Sequence, residues 1–255
     1  MSNLNKMKNI IIEKTLKLDC GKKISNFPLA YETYGNLNEK KDNAILIFHA
    51  LTGDQYASGI NPITKKEGWW NYAVGPGKSF DTDKFFVICA NVIGGCMGSY
   101  GPGTIDPLTN KPIGTNFPVI TINDMVNAQY NLLDYLKIEK LFAVAGGSMG
   151  GMQVLQFVSN FPNKAKVALP IACTASHSAQ NIAFNELGRQ AIMSDSNWNE
   201  GLYDEKSTNP DKGLAVARMA AHITYLSKQG LQEKFGRNLQ ERSDLKFGFD
   251  ADFQI

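Results

Sequence analysis

The stretch Leu141-Phe142-Ala143-Val144-Ala145-Gly146-Gly147-Ser148-Met149-Gly150-Gly151 decides the fold of this chain. An apolar run of strand length ends in glycines, and a helical pattern follows with apolar residues at Val154, Phe157, Val158 and Phe161. Gly146-Gly147-Ser148-Met149-Gly150 therefore fits the G-x-S-x-G pattern in the strand–turn–helix context that it requires. Such a turn strains the serine backbone and raises its hydroxyl at the carboxyl end of a sheet. We predict that Ser148 is a nucleophile; the alternative is a glycine-rich turn with an idle serine.

Two backbone amides are candidates for an oxyanion hole beside this serine. Met149 opens the predicted helix, so its N–H points toward the turn. His49-Ala50-Leu51 follows the predicted third strand, where folds with such a turn supply the second amide, and we assign it to Leu51. We interpret His49 as a residue that shapes this loop, with a role as the general base as the alternative.

The order of strands and helices predicts an α/β fold. Apolar runs of strand length occupy 43–48 and 84–90, a capping box at 121–124 opens a helix, and a further strand covers 166–173. Residues 9–35 are predicted to form two more strands that turn near residue 20. Strands alternating with helices indicate a mostly parallel sheet with helices on both faces, over residues 1–175.

Residues 176–255 have a different pattern. No strand–helix alternation continues there, and helical periodicity covers 182–193 and 214–226 between polar turns. We predict a helical cap, inserted after the sixth strand of the sheet.

The composition excludes several classes of function. The chain has 255 residues and a formal net charge of +2, which favours neither nucleic-acid binding nor a membrane surface. No targeting segment and no apolar run of transmembrane length are visible. The four cysteines (Cys20, Cys89, Cys96 and Cys173) lack C-x-x-C spacing, so we expect reduced thiols, no metal site and a cytoplasmic protein.

The general base is harder to place than the nucleophile. In this type of fold the acid and then the histidine follow the serine, and only His177 and His222 do so here. His177 follows a strand end and is interpreted as a loop residue. Arg218, His222 and Tyr225 have i, i+4, i+7 spacing and share a helix face. Arg218 and Tyr225 therefore form either a clamp for a substrate carboxylate or an exposed polar stripe.

Many blocks of this sequence resemble one known family. They are Phe48-His49-Ala50-Leu51-Thr52-Gly53-Asp54, Gly68-Trp69-Trp70, Asn91-Val92-Ile93-Gly94-Gly95-Cys96, Gly101-Pro102, Phe117-Pro118, Gly146-Gly147-Ser148-Met149-Gly150-Gly151, Phe184-Asn185-Glu186, Gly188-Arg189-Gln190-Ala191-Ile192, Ala217-Arg218-Met219 and Thr224-Tyr225. Together they are similar to homoserine O-acetyltransferases, acyltransferases of methionine biosynthesis with the α/β-hydrolase fold.

The resemblance implies a reaction and roles for individual residues. The reaction is transfer of an acetyl group from the co-substrate acetyl-CoA to the hydroxyl of L-homoserine, with no permanently bound cofactor. Ser148 matches the acylated nucleophile, Arg218 the arginine that holds the amino-acid carboxylate, and Tyr225 the tyrosine beside it. The resemblance also implies a homodimer formed through the cap.

The alternative functions differ in the acyl donor, in the acyl acceptor or in whether the protein is an enzyme. The loop His49-Ala50-Leu51-Thr52-Gly53 resembles acetyl-using members of the family more than succinyl-using ones. A homoserine or serine O-succinyltransferase remains an alternative. A serine esterase on the same fold would pass the acyl group to water and would not need Arg218 as a clamp. A catalytically dead binding module is the alternative outside enzymes.

One departure from the family pattern concerns the end of the sequence. The family has its catalytic Asp and His, and a further substrate-binding Asp, in a carboxyl-terminal portion that we do not find in residues 1–255. We therefore expect a fragment or a truncated form that lacks the last strands of the sheet and part of the cap. Expressed alone, it is expected to be poorly soluble and essentially inactive; the DNA beyond codon 255 would distinguish the two cases.

Overall fold

The computed structural model describes residues 7–203 and 208–236 of the chain. The chain folds as two compact units, Met1–Ala175 and Ser176–Ile255, and each is described by itself. The roles predicted for these segments, hydrolase core and cap, stay predictions. None of the helices in the described ranges is long and apolar enough to cross a membrane.

A sheet of six strands forms the centre of the first unit. In chain order its strands are β1 (Asn9–Ile12), β2 (Phe27–Tyr34), β3 (Ala44–Phe48), β4 (Phe86–Ala90), β5 (Leu141–Gly147) and β6 (Ala165–Ile171). Their order across the sheet is β1-β2-β4-β3-β5-β6. The ladders between β4, β3, β5 and β6 are parallel, and β1 and β2 add antiparallel strands at one edge. The prediction of a mostly parallel sheet is confirmed.

The two faces of the sheet have separate apolar cores, because successive side chains of a strand point to opposite faces. Leu46 and Phe48 of β3 belong to a cluster with Phe157 of a helix, whereas Ile45 and Ile47 belong to the other cluster. All residues of β3 are buried, as expected for a central strand covered on both sides.

Two helices of this unit contribute to the first of these clusters. Helix α1 (Ile122–Tyr135) begins with the predicted capping box, in which the Thr121 hydroxyl accepts from the Asp124 N–H and the Asp124 carboxylate accepts from the Thr121 N–H. Helix α2 (Met149–Asn160) follows β5 directly. Its Phe157 ring packs on Phe48 with centroids 5.8 Å apart.

Two predictions for this unit differ from the structure. Helices were expected on both faces. Within the described residues of this unit, the cluster on the second face is instead completed by the segment between β3 and β4, which contains two short paired strands, Val74–Gly75 and Phe80–Asp81. Trp70 stacks there on Phe80, with ring centroids 5.4 Å apart. Residues 9–35 were expected to form two strands, yet a short hairpin of Leu16–Lys17 and Lys23–Ile24 lies between β1 and β2. The alternation of apolar residues runs through both hairpin and sheet strands, so it does not mark where one ends.

The second unit is helical in the part that the structure describes. Its helices are α3 (Ala179–Met193), α4 (Asp211–Tyr225) and α5 (Lys228–Lys234). Ser178 caps α3 by accepting from the Asn181 N–H, and the Asp195 carboxylate accepts from the Gly213 N–H at the start of α4. Helical periodicity therefore located both long helices, and only their first turns were missed.

Candidate active site

Ser148 lies at the junction of β5 and α2 with a strained backbone. Its φ of 55° and ψ of −121° are outside the regions that residues with side chains favour. The Ser148 N–H donates to the Ile171 carbonyl of β6 at 3.0 Å, and the side chain is exposed. A strained residue persists only where its surroundings hold it, so this turn presents the Ser148 hydroxyl at the carboxyl edge of the sheet.

The glycines on either side of Ser148 permit an unusually close approach of backbone to backbone. A Cβ on Gly150 would lie 2.1 Å from the Phe48 carbonyl oxygen, and one on Gly146 would lie 2.4 Å from the Gly150 oxygen. Gly147 differs, since a Cβ there would meet nothing within 4 Å. The first turn of α2 thus packs directly on the end of β3, and two of the motif's glycines are required by contact.

The two proposed oxyanion amides lie on the segments that this contact joins. Met149 is the first residue of α2, so its N–H has no acceptor within the helix. Leu51 lies in the turn after β3, closed by a hydrogen bond from the Gly53 N–H to the Ala50 carbonyl at 2.9 Å, and its side chain is 68% exposed. Leu51 and Met149 therefore belong to two adjoining segments, the loop after β3 and the first turn of α2. Their role in binding an oxyanion stays a prediction.

The topology of the sheet places these loops at its switch point. β3 is followed in sequence by its neighbour β4 on one side, whereas β5 lies on the other side of β3 and continues to β6. Ligands of open α/β sheets bind outside the carboxyl ends of strands at such a reversal. The loop after β3 and the turn after β5 border this crevice.

His49 is a buried residue that organises the loop after β3. Its side chain is 1% exposed, its Nδ1 lies 2.7 Å from the Ala50 carbonyl oxygen, and its Nε2 lies 3.1 Å from the Val92 amide nitrogen. These partners require a proton on Nδ1 and a lone pair on Nε2. Burial lowers the pKa of the His49 imidazole, so the ring is neutral. Because both ring nitrogens are engaged, His49 has no free position to accept the Ser148 proton.

The other predicted site residues belong to the second unit. Arg218 and Tyr225 are exposed residues of α4, and His222 lies between them with its ring edge-on to Phe235 at a centroid distance of 6.1 Å. Arg218, His222 and Tyr225 therefore lie on one helix, as their i, i+4, i+7 spacing predicted. His177 is exposed and directly precedes Ser178, the cap of α3. A carboxylate clamp formed by Arg218 and Tyr225 stays a prediction.

Sequence reasoning missed a pair of buried glutamines behind the turn. Gln153 of α2 and Gln129 of α1 are fully buried, and the Gln129 Nε2 donates to the Gln153 Oε1 at 2.7 Å. The signal was available, because Gln153 precedes Phe157 by one helical turn and so lies on the apolar face of α2. A polar residue at such a position needs a partner.

No cluster of three or more His, Cys, Asp or Glu residues within 7–203 and 208–236 is arranged to hold a metal ion. Cys20, Cys89 and Cys173 are unpaired thiols, of which Cys89 is buried.

Comparison with known proteins defines the structural class to which the chain belongs. The family model of the alpha/beta hydrolase fold matches residues 43–250. Among solved structures, the chain is similar to esterase E22 (TM-score 0.79, 32% identity, covering 92% of this chain and 67% of that one). It is also similar to homoserine O-acetyltransferase from Bacillus anthracis (TM-score 0.80, 29% identity, covering 91% and 63%). The strained serine turn and this sheet make the chain an α/β-hydrolase-fold protein.

Comparison with individual relatives narrows this class to one family. The chain is 79% identical to homoserine O-acetyltransferase of Pelagibacter ubique (strain HTCC1062), covering 99% of this chain and 68% of that protein. It is 61% identical to the homoserine O-acetyltransferase of Mesorhizobium japonicum, covering 95% and 62%. The chain belongs to the homoserine O-acetyltransferase family of acyltransferases, and spans about two thirds of the length of these relatives.

The contact between Gly150 and Phe48 predicts a contrast between two glycine substitutions. In the full-length protein, Gly150→Ala forces the loop after β3 away from α2, and we expect a loss of about 3 kcal/mol in stability together with a roughly hundredfold slower acylation of Ser148. Gly147→Ala is the matched control: its added Cβ meets open space, so both quantities should stay near wild type. Urea unfolding midpoints and the acylation burst with p-nitrophenyl acetate measure the two effects. Equal effects of the two substitutions would contradict the contact argument.

Proposed function

We propose that the protein containing this chain transfers an acetyl group from acetyl-CoA to the hydroxyl of L-homoserine, through an acetyl-Ser148 intermediate. The observation that carries the proposal is the strained Ser148 at the β5–α2 junction. The chain that holds it is 79% identical to the homoserine O-acetyltransferase of Pelagibacter ubique. The identity supports the substrates, and the turn supports the covalent route. Acetyl-CoA is then a co-substrate rather than a resident cofactor.

The first half-reaction forms the acyl-enzyme. The Ser148 oxygen attacks the thioester carbonyl carbon while its proton passes to a general base, and the carbonyl oxygen becomes an oxyanion. We assign the Leu51 and Met149 N–H groups as the donors to that oxygen. Collapse of the intermediate breaks the C–S bond, and CoA leaves as the protonated thiol. The family resemblance assigns the base to a histidine in the carboxyl-terminal portion of such enzymes, not to His49.

The second half-reaction uses the amino acid as the acceptor. The homoserine hydroxyl loses its proton to the same base, attacks the acetyl carbon and releases the Ser148 oxygen. We propose that Arg218 holds the homoserine carboxylate with Tyr225 beside it, because a guanidinium fork matches a carboxylate in two parallel hydrogen bonds. The enzyme then selects the acceptor by its carboxylate, whereas formation of the acetyl-Ser148 intermediate does not depend on that carboxylate.

A serine esterase is the second candidate function, and the structural similarity to esterase E22 at 32% identity favours it. The two candidates differ only in whether water or an amino-acid hydroxyl attacks the acetyl group. Oligomeric state and location are further proposals: the family resemblance supports a homodimer through the second unit. The unpaired thiols support the cytoplasm.

Ser148→Ala tests the covalent intermediate. In the full-length protein, intact-mass measurement after brief mixing with acetyl-CoA should show one added acetyl group that Ser148→Ala removes. Initial rates should follow ping-pong kinetics, since CoA leaves before homoserine reacts. Unchanged labelling in the variant would defeat the assignment of the nucleophile. Succinyl-CoA in place of acetyl-CoA tests the donor, and free acetate formed without homoserine measures the esterase reaction.

Arg218→Lys tests the acceptor site. Lysine keeps the charge but loses the fork, so kcat/KM for homoserine should fall at least about tenfold, or about 1.4 kcal/mol. Hydrolysis of p-nitrophenyl acetate, which has no carboxylate, should barely change. Arg189→Lys is the matched control, because the Arg189 guanidinium pairs with Glu186 within α3. If ester hydrolysis and homoserine transfer fell equally, Arg218 would have a structural role.

A further inference from the structure

Gln153 connects the two segments that carry the proposed oxyanion amides. Its Nε2 lies 3.4 Å from the His49 carbonyl oxygen, at the start of the loop after β3, and 3.4 Å from the Met149 carbonyl oxygen, in the first turn of α2. A single NH₂ group thus spans the contact between the loop and the helix. The side chain is fully buried, so water does not compete for these acceptors.

The orientation of the Gln153 amide is determined by its partners. The Gln129 Nε2 donates to the Gln153 Oε1 at 2.7 Å, which leaves the Gln153 Nε2 facing the two carbonyls. The opposite orientation would bring the Gln153 oxygen against two carbonyl oxygens and would bring the NH₂ groups of the two glutamines together. Gln129 therefore holds the amide of Gln153 with its donor side toward the loop.

Packing alone does not require an amide at this position. The start of α2 is already held against β3 by the contact of Gly150 with the Phe48 carbonyl, and Phe157 packs on the apolar side of the same helix. An apolar side chain of similar volume would fill the space without the desolvation of a buried amide. The specific contribution of Gln153 is a directed hydrogen bond to the His49 carbonyl, in the peptide just before the one that carries the Leu51 N–H.

We propose that Gln153, oriented by Gln129, is a positioning residue that fixes the Leu51 amide relative to the Met149 amide for the oxyanion of the acylation step. The proposal rests on the proposed function, because that function assigns the two amides. The Gln153 hydrogen bond to the His49 carbonyl holds the His49–Ala50 peptide, which directly precedes the peptide that carries the Leu51 N–H. Its hydrogen bond to the Met149 carbonyl ties this peptide to the first turn of α2. Oxyanion donors are effective only when prearranged, so a small displacement of one slows acylation without weakening substrate binding.

The test compares Gln153→Met with Gln156→Met in the full-length protein. Both substitutions replace a glutamine of α2 by an apolar residue of similar size, but the Gln156 side chain bonds to Asn160 and not to the loop. For Gln153→Met we expect the single-turnover rate constant for acylation of Ser148 to fall about tenfold or more, with the half-saturating acetyl-CoA concentration changed less than about twofold. Gln156→Met should leave both values near wild type.

Gln129→Met provides an independent second variant. It removes the group that orients the Gln153 amide, so acylation should slow by a smaller factor, and Gln129→Met/Gln153→Met should be no slower than Gln153→Met alone. A merely structural role predicts lower melting temperatures with an unchanged acylation rate constant of the folded enzyme, and that result overturns the proposal. If Gln153→Met does not fold, Gln129→Met decides: unchanged acylation overturns the proposal and slower acylation supports it.

A second acyl donor separates this proposal from the proposed function. The burst of p-nitrophenolate from p-nitrophenyl acetate reports acylation of Ser148 whether or not homoserine is the acceptor. If the burst slows in Gln153→Met while wild-type enzyme fails to acetylate homoserine, the proposed function fails and the role of Gln153 stands. If wild type transfers acetyl to homoserine and both donors acylate Gln153→Met at wild-type rates, only the role of Gln153 fails.

Discussion

The contact of the first turn of α2 with the end of β3 is the constraint on which the site depends. Gly150 lies so close to the Phe48 carbonyl that no side chain fits between them. This approach brings the start of α2 and the loop after β3 together. It also fixes where β5 must end and therefore forces Ser148 into its strained conformation. The start of α2, the position of the loop after β3 and the exposure of the Ser148 hydroxyl all depend on this one backbone contact.

The sequence revealed most of this arrangement because the contact needs glycine. Gly146 and Gly150 stand out against the apolar run of β5 and the periodicity of α2, so the strand, the turn and the helix were each predictable. The capping box at Thr121 was predictable for a similar reason: it is a local motif whose hydrogen bonds join residues three apart. Structural features that depend on residues close together in the chain can therefore be predicted from the sequence.

Features that depend on distant contacts left weaker signals. The segment between β3 and β4 covers one face of the sheet with stacked rings such as Trp70 and Phe80, and no periodicity marks such a layer. The Gln129–Gln153 pair joins two helices, so neither residue predicts its partner. The spacing of Arg218 and Tyr225 allowed either a carboxylate clamp or an exposed polar stripe, and only the family resemblance favoured the clamp, since a shared helix face does not show which ligand it meets.

The buried imidazole of His49 has a consequence for how the site responds to acid. Protonation would require Nε2 to surrender the Val92 N–H, and burial has already lowered the pKa of the ring. The His49 ring therefore resists protonation more strongly than an exposed histidine does, and its hydrogen bonds to Ala50 and Val92 persist to lower pH. In the reaction proposed above, loss of turnover on mild acidification is then expected to come from the residue that accepts the Ser148 proton rather than from His49.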